Sequence, residues 1–249
     1  MSDQAPPVSI VIPARNEAAR LPASLRELQT VFSGEPWEFL VVVEPGTDDT
    51  AAAARAVVAG DGRFEIVENP VHRGKGFAVK TGMLRARGDL VFFMDADLSV
   101  PPAMVHEFLR VSAATRADVL IGSRRHRASR ILRRQPFARE AAGRVFNMVL
   151  RLCRVTRMRD TQCGFKAFRR RAAREIFSRV VQDGFGFDVE AVVWAEVMGL
   201  RIEELPVQWS DVDGTKVRPV QDGVAALVEA VLAGWRIRRE NRRDGESRS

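Results

Sequence analysis

Short apolar runs rich in β-branched residues recur through the first half of this chain, each followed by a stretch with helical character. VSIVIP (8–13) is stopped by Pro13, WEFLVVVEPG (37–46) ends in a turn, FEIVEN (64–69) is a third run and DLVFFMDAD (89–97) a fourth. Between them lie EAARLPASLRELQTVF (17–32), with Leu21, Leu25, Leu28 and Phe32 on one helical face, then TDDTAAAARAVVAG (47–60), closed by Gly60, and GKGFAVKTGMLRARG (74–88). Unbroken apolar runs suit strands buried on both faces, and helices between strands suit parallel pairing. The pattern predicts an α/β fold with a mostly parallel central sheet flanked by helices. ADVLIGSRR (117–125) reads as a fifth strand and RIEELPVQW (201–209) as a later one, with helices around 136–153 and over 187–198. No repeat or linker divides the chain. A main unit over 1–220, an amphipathic helix over 221–238 and a disordered basic tail over 239–249 are expected.

In such sheets ligands collect beyond the carboxyl ends of the strands. The residues found there are polar: Arg15, Asn16 and Glu17 after Pro13, Glu44 and the PGTDD turn, NPVHRGKG (69–76), Asp95 with Asp97, and Ser123 with Arg124. Asp95 and Asp97 are two apart, which in a strand turns both side chains to one side. Like charges that close repel unless a cation or a shared proton intervenes. Mg2+ and Mn2+ take oxygen ligands, often one or two carboxylates plus substrate phosphates. A solvated turn, or a helix cap before Pro101-Pro102, is the other reading of the pair.

Charge is unevenly placed. Residues 124–159 hold twelve arginines and one acid, Glu140, so this segment carries +11 of a net +7 and the remainder carries −4. Such a block calls for an anionic partner: phosphate groups, an acidic membrane surface or nucleic acid. Cys153 and Cys163 form neither a metal-ligand pattern nor a disulfide framework and fit a reducing compartment. The run VAALVEAVLAGW (224–235) contains Glu229 and is too short to span a bilayer. A cytoplasmic protein, or one held peripherally on the cytoplasmic face of a membrane, is expected.

Taken in order, VSIVIPARNEAARL, NPVHRGKGFAVKTGMLRARGDLVFFMDADLS, GSR, DTQCGFKAF, FDVE and VQWSDVDGTKV resemble the family 2 glycosyltransferases of GT-A fold. The resemblance is greatest to the branch that contains dolichyl-phosphate β-glucosyltransferase and dolichyl-phosphate mannose synthase, and it runs from about residue 8 to 220. It implies a nucleotide-sugar donor, UDP-sugar favoured over GDP-sugar, a divalent metal (Mg2+ or Mn2+) and inversion at the anomeric carbon. It implies that Pro13, Arg15, Glu17 and Glu44 surround the base and ribose, that Lys75, Asp95 and Ala96 lie near ribose or pyrophosphate, and that Asp95 and Asp97 hold the metal. For Lys75 a surface lysine in a turn, and for Glu17 a first-turn acid favoured by the helix dipole, are the plainer readings. The chain departs from the family pattern in two places. EPGT replaces a DDGS-like ending, and Leu98-Ser99 stands where mannose synthases carry a Leu-Gln that helps hold the metal.

The acceptor can be approached through acid–base chemistry. A sugar hydroxyl needs a carboxylate base, whereas a monophosphate with a second pKa near ~6 is already largely dianionic and needs cations to position it. The resemblance implies that Arg124 and Arg139 grip such a phosphate, while Gly143 stands where mannose synthases tend to carry a phosphate-binding serine. It also implies that Asp160 or Gln162 bonds sugar hydroxyls from the pocket floor and that Lys216 lies in a loop closing over phosphate. Were the acceptor a hydroxyl, Asp160, Asp188 or Glu190 would be the base, although Asp188 could equally be a helix cap. The sequence therefore predicts a hexosyltransferase, glucose favoured, acting on polyprenyl or dolichyl phosphate near an anionic membrane surface. Transfer to a soluble or protein hydroxyl is the alternative. A nucleic-acid-binding role for the arginine block leaves the strand-end residues unexplained.

Overall fold

A computed structural model of the chain describes residues 6–212 and 221–246. Seven strands form one sheet in the order β3-β2-β1-β4-β7-β5-β8. The first five strands are those expected: β1 (Val8–Ala14), β2 (Glu38–Val43), β3 (Phe64–Glu68), β4 (Leu90–Met94) and β5 (Val119–Ser123). β1 pairs parallel with β2 and β4, and β2 with β3, so their carboxyl ends share one edge. Alternate residues face opposite sides. On one side Ile10, Ile12, Phe39 and Phe92 meet α1 (Leu21–Val31), α2 (Thr50–Val58) and α4 (Met104–Thr115). On the other, Val11, Val42 and Phe93 meet α3 (Lys75–Arg85), α6 (Arg170–Arg179) and α7 (Phe187–Val197).

β7 (Phe165–Arg169) was not anticipated as a strand. It inserts antiparallel between β4 and β5, with Phe165 opposite Met94. The consequence is topological: an antiparallel strand starts at the edge where its parallel neighbours end, and so the preceding DTQCG segment arrives beside Asp95. The run 201–209, read as one strand, is two. β8 (Ile202–Pro206) extends the main sheet beside β5, and β9 (Gln208–Ser210) pairs with β6 (Arg130–Arg133) in a small second sheet. Pro206 marks the break, and Val207 donates its N–H to Ser129 Oγ instead (3.1 Å).

α5 (Phe137–Leu152) and α8 (Gln221–Glu246) pack with α7 around Leu150, Val193, Ala230 and Ile237. The tail expected to be disordered from 239 is helical to Glu246. Its approach is fixed by Arg238, which donates to Val155 O (2.8 Å), and by Asn241, which donates to Val197 O (3.3 Å). Among the described residues no helix is long and apolar enough to cross a membrane.

Candidate active site

The loops after β1 and β2 are tied into one unit. Asn16, in the left-handed region at φ 55°, accepts from Thr47 N at 2.7 Å, Asp48 accepts from Ala18 N at 2.9 Å, and Thr50 Oγ1 accepts from Glu17 N at 2.8 Å. Pro13 is buried within β1, Arg15 is exposed and donates Nε to Pro45 O (3.1 Å), and Glu17 pairs with Arg20 (2.8 Å). Glu44, expected beside base and ribose, has partners within the chain. It is 3% exposed and its carboxylate accepts from Asn69 Nδ2 (3.0 Å), His72 Nδ1 (2.5 Å), Arg73 N (3.0 Å) and Gly74 N (2.8 Å). Its acceptor capacity is used in shaping the turn that leads into α3.

That turn delivers Lys75, the first residue of α3, to Asp95: Nζ lies 2.5 Å from Oδ1 and about as far from the Phe93 ring (6.0 Å) as from the Phe185 ring (5.9 Å). Burial acts to lower the Lys75 pKa, but Asp95, Asp188 and Asp97 outweigh it and the pKa is raised. Burial raises the Asp95 pKa, with Asp97 and Asp188 adding to the rise and Lys75 opposing it. Ala96 is buried and its carbonyl accepts from Ser24 Oγ (2.7 Å). Leu98, at φ 50°, turns the chain back so that Ser99 donates its N–H (3.0 Å) and hydroxyl (2.7 Å) to Asp97 Oδ1. Ser99 thus orients Asp97.

Three features fit a divalent cation here. The Asp95 carboxylate is costly as it stands: burial raises its pKa and Asp97 and Asp188 add to the rise, against the opposing charge of Lys75. Asp95 Oδ1 is sealed from water and, its ion contact with Lys75 apart, makes no hydrogen bond. Gly164 keeps space beside the same carboxylate, since a Cβ there would lie 1.9 Å from Oδ2. No cluster of three or more His, Cys, Asp or Glu occurs among the described residues, so the donor set is the two aspartates. That number suits a cation completed by substrate phosphates and water.

The basic end of the edge is organised differently from the expectation. Arg124 forms a two-pronged pair with Asp160, Nε to Oδ2 at 2.7 Å and Nη2 to Oδ1 at 2.8 Å, with the Arg124 N–H adding a third bond at 3.0 Å. Burial acts to raise the Asp160 pKa, but Arg124 outweighs it and holds the carboxyl at about 2. Asp160, expected at sugar hydroxyls, is fully buried and orients Arg124, which also lies over Trp209 (5.6 Å). Gln162 remains half-buried and uses its backbone N–H in this network, to Asp160 Oδ1 at 3.3 Å. Arg139, in the first turn of α5, lies 3.9 Å from Asp211, and Gly143 one turn on faces Arg125. Lys216 lies outside the described residues.

Asp188 neither caps α7 nor stands free. It accepts from Lys166 Nζ at 2.5 Å, and Lys166, fully buried in β7, also donates to Cys163 O (2.7 Å) and sits 5.0 Å from the Phe93 ring. Lys166 was missed as a site residue, although a lysine inside the apolar run FKAF was its signal. Glu190 accepts from Val181 N (3.0 Å) and Gln182 N (2.8 Å) and so anchors the segment between α6 and α7. Lys75, Asp95, Asp97 and Asp188 are thereby brought into one electrostatic group, with Arg124 close enough to feel Asp95.

A sequence profile described as Glycosyl transferase family 2 matches residues 9–177. Dolichyl-phosphate beta-glucosyltransferase of Drosophila melanogaster is 33% identical over 255 residues, covering 92% of this chain and 77% of the relative. The protein of that name from Saccharomyces cerevisiae is 29% identical, with coverage of 90% and 73%. Among solved structures, glucosyl-3-phosphoglycerate synthase from Mycobacterium tuberculosis, crystallised with Mn2+, UDP and phosphoglyceric acid, superposes with a TM-score of 0.66 at 21% identity, covering 92% of this chain and 77% of that one.

Proposed function

Because this chain belongs to glycosyl transferase family 2, we propose that it transfers glucose from UDP-glucose to a polyprenyl phosphate of the dolichyl type, with inversion at the anomeric carbon. The relatives in fly and yeast carry that acceptor and sugar in their names, and the mycobacterial neighbour was solved with UDP and Mn2+. Asp95 and Asp97 are the residues that would hold Mg2+ or Mn2+. Such a cation neutralises charge on a departing diphosphate. Lys75, already against Asp95, supplies a fixed positive charge on the donor side.

One observation carries the choice of acceptor: the acids that could serve as a base for a hydroxyl are committed elsewhere. Asp160 is held by Arg124, Asp188 by Lys166, and Glu190 by two backbone N–H groups. A phosphate monoester needs no base, since its dianion is present at neutral pH. Its oxygen attacks the anomeric carbon, the bond from that carbon to the UDP oxygen breaks, and the electron pair leaves with UDP. Arg124, preset by Asp160, and Arg139, at the start of α5, are the cations that would orient the phosphate.

The same reading assigns an anionic membrane surface to α5. Phe137, Val145, Met148 and Leu152 are exposed and share one side of the helix, while Phe146 and Leu150 on the other side are buried. The test is transfer from a panel of UDP- and GDP-sugars, with Mg2+ or Mn2+, in the presence and absence of polyprenyl phosphate. Transfer to the lipid that Asp97→Ala and Arg124→Ala abolish is the expected result. Donor turnover without lipid transfer would redirect the search to hydroxyl acceptors, and absence of donor binding would overturn the reading.

A further inference from the structure

We infer that Arg125 is a further acceptor-binding residue, a guanidinium kept without an anionic partner beside Gly143 so that an oxygen of the acceptor's phosphate monoester can complete it. The inference rests on the proposal that the acceptor is a phosphate. Arg125 follows Arg124 directly, at the strand edge where the site lies. Its neighbours in the arginine block are paired: Arg124 with Asp160, and Arg144 with Glu140. Arg125 makes neither a hydrogen bond nor an ion pair among the described residues, and its Nε is sealed from water without an acceptor. A buried donor left unmatched, and a cation left unpaired, are both costly, so such a group is retained where something else compensates.

The surroundings define what that something is. Burial lowers the Arg125 pKa; among the charges around it Asp160 opposes the shift most, Arg124 and Arg144 add to it, and Glu140 opposes it least. Two further cations, Arg124 and Arg144, thus bear on the place where an entering phosphate dianion would meet this guanidinium. Gly143 carries no side chain that could shield the guanidinium from the α5 backbone; a Cβ there would lie 3.4 Å from Arg125 Nη2. The position that the sequence reading left without a phosphate contact at Gly143 is thus faced by a charged donor from the neighbouring β5 loop. A planar fork suits phosphate oxygens where a serine hydroxyl would offer one bond.

The test uses the full chain with Arg125→Ala and Arg125→Lys, varying polyprenyl phosphate at saturating UDP-glucose and then the reverse. Loss of a charge-assisted bond to phosphate is expected to raise the KM for the lipid about 10-fold to 100-fold in the alanine variant, with a smaller rise for lysine. The KM for UDP-glucose stays unchanged. Thermal unfolding separates this role from a structural one, because deleting a half-buried guanidinium whose Nε has no acceptor leaves the melting temperature equal or higher. An unchanged lipid KM, or a rise in both KM values together with a lower melting temperature, overturns the inference and leaves the proposed function in place. A wild-type protein that binds UDP-glucose but transfers nothing to polyprenyl phosphate overturns the proposed function itself.

Discussion

Two carboxylates at the same sheet edge have opposite electrostatic fates, and each leads to a distinct experiment. Asp160 is matched: Arg124 more than offsets its burial and holds its pKa at about 2, against 3.8 in an unfolded chain. A depressed pKa contributes stability that is complete above about 4 and is lost as pH falls from 3.8 towards 2. The amount is on the order of 2 kcal/mol. Asp160→Asn leaves Arg124 buried against a neutral partner, and breaking a buried pair in this way costs about 3–5 kcal/mol. Urea unfolding at pH 7 should show that deficit, and repetition at pH 3 should show it narrowing, since only the wild type has a carboxylate to protonate. A deficit that is the same at both pH values would place the acid sensitivity in another group. Asp95 is paired with Lys75 but undercompensated: burial, Asp97 and Asp188 together raise its pKa, which an added cation would oppose. Gly164→Ala would drive a Cβ into its carboxylate, at 1.9 Å from Oδ2 in the present geometry, and force the side chain to rotate away from Lys75. We expect Mn2+-dependent UDP binding to weaken at least about 10-fold, the scale of a lost charged contact. Calorimetric titration of UDP with and without Mn2+ reads this directly, and equal binding by both proteins would show that Asp95 does not serve the metal.

At the scale of elements, the position of Lys75 depends on a segment more than one hundred residues away. The chain between α6 and α7 lies under the start of α3: Phe77 N donates to Asp183 O at 3.1 Å, and a Cβ on Gly76 would lie 2.4 Å from Gln182 O. Gly74, at φ 128°, has the conformation that glycine alone adopts easily, and a Cβ there would lie 2.5 Å from Asp183 O. Glu190 holds this segment from below through two backbone N–H groups. Glu190→Ala leaves both donors unmatched, so a loss of about 1–3 kcal/mol per group is expected in unfolding experiments, together with a higher KM for the donor. A donor KM unchanged in a destabilised variant would show that the segment supports the fold and not Lys75. The glycines of GKG were visible in the sequence, but their reason was not, because it is a contact between distant segments and not a local pattern. The first five strands were legible for the converse reason: β1, β2, β4 and β5 are apolar runs whose burial on both faces leaves its mark on their own composition, and β3, at the sheet edge and only partly buried, is a short run with β-branched residues between its glutamates. β7 escaped because Lys166 interrupts the run and because nothing in a strand's composition records its direction. That direction is what carries DTQCG to Asp95. Glu44 was singled out as a polar residue at a strand end, and Asp160 and Asp188 as acids for the sugar or for a base. Their partners within the chain, Gly74 N, Arg124 and Lys166, could not be read without the fold.

At the scale of the whole molecule, the proposed membrane contact would draw on the arginine block and on the exposed apolar faces of α5 and α8. Phe137 is 86% exposed and Leu152 74%, and on α8 the exposed residues Val228, Leu232 and Trp235 recur at helical spacing. α8 is nevertheless fastened to the catalytic unit, with Ala230 and Ile237 buried and Trp235 Nε1 donating to Cys153 O at 3.0 Å. One face of this helix is therefore packed and the other exposed. Each arginine held near an anionic surface is worth about 1 kcal/mol, and each apolar side chain entering the interface adds to this by area. Both terms should therefore be separable on vesicles. Binding to phosphatidylserine-containing vesicles is expected to exceed binding to neutral ones and to fall as salt is raised, because screening shortens the reach of the arginines to about 8 Å at physiological ionic strength. Phe137→Ser with Leu152→Ser should weaken vesicle binding at every salt concentration and leave the melting temperature in place, since both side chains are exposed already. Transfer to a short, water-soluble prenyl phosphate should be unaffected by the pair of substitutions, and transfer to long-chain polyprenyl phosphate in vesicles should fall. If the double variant binds vesicles like wild type, the docking face is not α5. If both acceptors are used more slowly, the substitutions have reached the active site, and the separation of docking from chemistry fails.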